Sequence, residues 1–132
     1  MDFGKLDVSK KADEGVEFND FVGPDKKPLS GLKVRLYGSD STVANKALSR
    51  IRQSTKLSEI KDLTIDSAYK QTLDRNVACT ANWNMVINGK DFPATQENVR
   101  KIYENTGYKW FFDQITERIE ETSNFLEKAD NS

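Results

Sequence analysis

A chain of 132 residues with 36% hydrophobic and 31% charged residues is long enough for one self-burying domain, and polar enough to expect a small core under a charged exterior. Its formal net charge of -1 argues against a protein whose task is to coat nucleic acid or an anionic membrane, both of which need a strongly basic surface. With no histidine and a single cysteine, Cys79, the commonest general base, an internal disulfide and a cysteine-based zinc cluster are all excluded, and no cofactor or metal is expected.

The charge is unevenly spread. Between Lys46 and Lys61 five basic residues (Lys46, Arg50, Arg52, Lys56, Lys61) face Glu59 alone, whereas Asp113 to Asp130 holds six acids against Arg118 and Lys128. Such blocks could attract one another within the fold, or between copies as a weak homo-oligomer. The opening residues lack the apolar stretch of a signal peptide, and no run approaches the roughly 18 apolar residues of a membrane span. A soluble protein without a membrane partner, in the cytoplasm, is the expectation.

Residues 1–15 are lysine-rich and without periodicity, and read as a flexible lead-in to a single domain over 16–128, with 129–132 as a tail. Val16, Phe18 and Val22 share one parity, with Phe21 as the exception, which predicts a strand over 16–22. A turn from Gly23 to Pro28 leads into 29–37, where Leu32, Val34 and Leu36 alternate with Lys33, Arg35 and Tyr37. The two make a β-hairpin that needs an apolar cover.

Helices should supply it. Ser39, Asp40 and Ser41 offer N-caps for a helix fading near Ser54 and Thr55, with Val43, Ala47, Leu48 and Ile51 on one side. Its basic residues read as a solvated face, with phosphate contact as the alternative. A second helix is predicted over about 63–81 from the spacing of Ile65, Ala68, Tyr69, Val77 and Ala81, and would hold Cys79 as a small buried thiol. The stretch 83–88 stays open between short strands turning at Asn88-Gly89 and a helix that stops there.

Thr95 caps a helix with the stripe Val99, Ile102, Tyr103, ended by Asn105-Thr106-Gly107. Tyr108, Phe111, Phe112, Ile115, Ile119, Thr122 and Leu126 then predict a last and longest helix of about five turns. The predicted fold is α+β: an N-terminal β-hairpin packed on a mainly helical layer of about four helices.

No Gly-rich phosphate loop, histidine metal motif or nucleophile elbow occurs, and the acidic pairs lack a site signal, so no catalytic residue is expected. What remains is surface. Trp110, Phe111 and Phe112 are adjacent, more ring area than one helix face hides; the spacing sends Phe111 and Phe112 toward the core and leaves Trp110 off the stripe. Trp110, Phe111, Trp83 and Phe125 are the candidates for partner binding.

The order of landmarks is distinctive. Lys11-Ala12-Asp13-Glu14-Gly15-Val16-Glu17 is followed by Tyr37-Gly38-Ser39-Asp40-Ser41, then Trp83, Asn88-Gly89-Lys90-Asp91-Phe92, Thr95-Gln96-Glu97-Asn98-Val99, Ile102-Tyr103 and Ser123-Asn124-Phe125-Leu126. In this order and spacing, from about Lys11 to Leu126, the chain resembles the tail assembly chaperones of long-tailed bacteriophages and prophages. The resemblance implies a non-catalytic morphogenesis factor in the host cytoplasm, with the tape measure protein and tail tube protein as partners. It corresponds to the short of the two lengths in which many such chaperones are made, and it brings no active-site residue. A head-tail connector or tail terminator subunit is the alternative, and a small nucleic-acid-binding regulator using Lys46 to Lys61 a second one.

Overall fold

Strands β1 (Val16–Phe18) and β2 (Val34–Leu36) pair antiparallel, Val16 opposite Leu36 and Phe18 opposite Val34, in a computed structural model that describes residues 2–54 and 65–126. Val34 and Leu36 are fully buried while Arg35 points out, the alternation read from the sequence. The ladder is shorter than expected because the chain beyond Phe18 pairs with a helix instead. Gln114 donates from Nε2 to the Val22 carbonyl at 2.8 Å and accepts from the Val22 amide at 3.0 Å. Phe21, off parity for a strand, is thereby turned inward against Phe111, with ring centroids 5.3 Å apart.

Among the described residues the α-helices are α1 (Ser9–Glu14), α2 (Thr42–Ser54), α3 (Ile65–Cys79), α4 (Gln96–Glu104) and α5 (Lys109–Glu120). With the small antiparallel sheets they make an α+β fold whose N-terminal hairpin packs on the helical layer. Val34, Leu36 and Trp83 from the sheet share one core with Ile102, Tyr103, Phe111, Ile115 and Ile119 from the helices.

Four features depart from the sequence reading or settle what it left open. Residues 9–14, expected in a flexible lead-in, form α1, because docking supplies what periodicity does not. Ala12 is fully buried, its carbonyl accepts from the Gly38 amide, and the Arg35 guanidinium donates twice to the Glu14 carbonyl at the helix end. Asp13 in turn accepts from the Thr42 amide at 2.6 Å, and so caps α2 from a neighbouring helix.

The second departure is a third strand, β3 (Thr80–Trp83), added to β2 where the helix was expected to continue. The Thr80 hydroxyl lies 2.8 Å from the Asn76 carbonyl and 2.7 Å from the Tyr103 hydroxyl, and this buried polar link turns the chain from helix to sheet. Third, the open stretch resolves as short strands: β4 (Val86–Ile87) and β5 (Lys90–Asp91) form a hairpin through Asn88 and Gly89, both at positive φ (52° and 79°).

Fourth, α5 stops at Glu120 and is shorter than α3. Glu121 adopts an extended conformation and accepts from the Ser123 hydroxyl at 3.0 Å, while the Asn124 side chain donates from Nδ2 to the Arg118 carbonyl at 3.1 Å. The chain then forms a single tight turn, Thr122–Phe125, which brings Phe125 over Gly38 and against Phe18. A Cβ on Gly38 would lie 2.9 Å from the Phe125 ring and 3.0 Å from Ala12, so this seam needs glycine. The expected tail at 129–132, the expected domain end at 128, and Lys56 and Lys61 of the basic segment lie outside the described residues.

Candidate partner-binding groove

Four stretches far apart in sequence converge on one open groove of about 580 Å³. The loop 28–32 forms one wall. Its start is tied back by the Val22–Pro28 bridge and by the Leu29 amide donating to Phe21, and its end by Asn84, whose side chain accepts from the Lys33 amide at 2.8 Å and donates to the Gly31 carbonyl at 2.7 Å. Gly31 stands at φ 89°, a conformation that favours glycine. Leu29 and Leu32 are thus held half-buried at the groove.

Met85, Val86 and Ile87 make the second wall. Neighbouring residues on a strand point to opposite faces, so Val86 and Ile87 cannot both face the core, and Val86 is left 56% exposed. Ile102 and Phe111 form the floor. Along the remaining side lie Tyr108 and Trp110, with ring centroids 6.3 Å apart, at the start of α5. The Trp110 indole N–H donates to the Gly107 carbonyl at 3.0 Å, which satisfies its one polar atom and leaves the ring face for apolar contact.

The four rings expected to bind a partner therefore separate. Trp83 and Phe125 are buried at 6% and 1% exposure and line no part of the groove, so the expectation that they offer contact surface is corrected, while Phe111, at 2% exposure, meets the groove only from below. Trp83 is fixed by its indole N–H donating to the Phe92 carbonyl at 2.6 Å, and Phe111 reaches the groove as part of its floor. Trp110, half-buried, is the expected ring that stands at the groove's side. Sequence reasoning missed Leu29, Leu32, Met85, Val86 and Ile87; the run Met85-Val86-Ile87 between two turns was the available signal.

Among the described residues no charged side chain lines the groove, and no group of three His, Cys, Asp or Glu could hold a metal ion. Nor is any described helix long and apolar enough to cross a membrane. Cys79, at the end of α3, is fully buried, and desolvation raises its pKa from 9.0 to about 11 against the opposing pull of the Arg75 charge and a hydrogen bond with Ser41. Tyr103 is shifted upward too, first by burial, with the Thr80 hydrogen bond acting against it.

These shifts carry a pH dependence. Above pH 9.0 the unfolded thiol sheds its proton while the folded one holds it until about pH 11. Stability present below that window is lost across it, by up to roughly 1.4 kcal/mol per pH unit. Thermal unfolding followed through this alkaline range is expected to show a falling midpoint, and a shallower fall in Cys79→Ala.

The fold and site define a small α+β domain with a preformed apolar groove. The chain matches no protein-family model, no curated protein and no solved structure.

Proposed function

We propose that this chain is a non-catalytic tail assembly chaperone of the long-tailed phage or prophage kind, working in the bacterial cytoplasm. It holds an amphipathic helix of the tape measure protein by its apolar face and promotes assembly of the tail tube around it. The observation that carries this reading is the groove: an uncharged concave surface with Trp110 and Tyr108 on one side and Met85, Val86 and Ile87 on another. A helix laid into such a groove presents residues at steps of three and four, and the rings meet it with large area and few rotors to freeze. The tape measure protein as client is what the resemblance in landmark order, from Lys11 to Leu126, implies.

Co-expression with a tape measure protein is expected to yield a complex and more soluble tape measure protein. Absence of any complex at micromolar concentration would overturn the reading. A stable closed ring of this chain that ignores the tape measure protein would point instead to a connector or terminator subunit.

A further inference from the structure

The molecule carries a second unpartnered apolar feature, in the chain just before α1. Phe3 is 77% exposed and Leu6 48% exposed, and neither joins the core. Both lie on a single 3₁₀ turn, Phe3–Leu6, whose three-residue period sets positions i and i+3 on the same side. The turn is locally fixed rather than loose: Asp2 accepts from the Gly4 amide at 2.9 Å, and Asp7 accepts from the Ser9 amide at 2.9 Å where α1 begins. An apolar pair held in place before it is covered loses little freedom on docking.

We infer that the Phe3–Leu6 turn of a second copy of this chain docks into the groove beside Trp110. This rests on reading the groove as a docking surface, and is independent of which client protein uses it. Two observations favour a second copy. The turn leads into α1, which is fixed at the Leu36 end of β2 through Ala12, Gly38 and the Arg35–Glu14 contact, whereas the groove lies beyond the Val34 end, at Leu32 and Asn84. Residues 3–6 do not line the groove of their own molecule, and the exposed pair is left for the groove of another.

Charge agrees. Lys26, Lys27, Lys33 and Lys90 flank the lining residues in the chain, against Asp25 and Asp91, and none of the four takes part in the ion pairs among the described residues. Asp2 and Asp7 bracket the apolar turn, against Lys5. An acid-flanked plug thus meets a lysine-flanked socket. Because plug and socket are different surfaces, the contact is heterologous and repeats head to tail.

The test uses Phe3→Asp and Val86→Asp, both at exposed positions where the fold has little at stake, with circular dichroism to verify folding. In sedimentation velocity the wild-type mass is expected to rise with concentration, and each variant is expected to lose that rise. An equimolar mixture of the two should regain association but stop at two chains, since it contains one intact turn for each intact groove. A wild type that stays monomeric up to millimolar concentration, a Phe3→Asp protein that associates like wild type, or a mixture that stays monomeric would overturn the inference. Tape measure capture separates the two readings. If Val86→Asp loses capture while Phe3→Asp associates normally, the groove stands as a docking surface and the self-docking inference falls. If Val86→Asp captures the tape measure protein like wild type, the groove reading falls as well.

Discussion

Phe111→Ala is expected to destabilise the domain by about 3–5 kcal/mol, the usual range for emptying a buried phenylalanine site. Phe111 is 2% exposed and its ring lies 5.3 Å from that of Phe21, 6.3 Å from Tyr103 and 5.9 Å from Trp110. Its neighbours are fixed by other bonds, Tyr103 through Thr80 and Phe21 through the Gln114 clamp on Val22, so they cannot close the space. Against a total stability of roughly 5–15 kcal/mol, this removes a large share, and the unfolding midpoint should drop by roughly 10 to 15 °C. Thermal denaturation followed by circular dichroism measures it. A drop of only a degree or two would mean that the ring is not packed as described.

Trp110→Ala should give the opposite pattern. The ring is half-buried on the groove side, so its loss leaves the domain folded at a cost of about 1–2 kcal/mol. Partner affinity, however, should fall by about 2 kcal/mol or more, close to thirtyfold, as for an aromatic anchor at the centre of an interface. Two neighbouring residues, Trp110 and Phe111, thereby divide the work: one holds the fold and the other meets the partner. Trp83 cannot serve as a control ring for binding. It is 6% exposed and hydrogen-bonded to Phe92, so its removal acts on stability.

Much of the fold is legible where local chemistry decides it. Thr95 caps α4 through the Asn98 amide at 3.1 Å, Val99, Ile102 and Tyr103 face inward, and Asn88-Gly89 turns a hairpin as its backbone preferences require. The features that escaped are decided by distant partners. Nothing in Thr80-Ala81-Asn82-Trp83 announces a strand directly after a helix; pairing with β2 and the Tyr103 hydroxyl make it one. The stripe of α5 continues in sequence to Leu126, yet the Glu121–Ser123 and Asn124–Arg118 hydrogen bonds break the helix first. Likewise Ala12 is the lone apolar residue of Ser9–Glu14, too little for a periodic signal, and α1 is held by Arg35, Gly38 and Thr42.

The candidate site follows the same division. Trp110 stood out because it fell off the helical stripe. Its companions at Leu29, Leu32 and Met85 to Ile87 come from a loop and a short hairpin whose meeting depends on Asn84 bridging to Gly31 and Lys33, a side-chain link that no spacing rule reveals. Phe125 looked available at the end of a long helix. The break after Glu120 folds it inward instead.

The most direct test is calorimetric titration of the wild type and of Val86→Asp with an amphipathic helical segment of a tape measure protein. Saturable binding by the wild type with a negative heat-capacity change, the mark of apolar burial, and affinity at least tenfold weaker in Val86→Asp is the result expected from a helix held in this groove. Equal affinity in the two proteins, or no binding by the wild type, would contradict it.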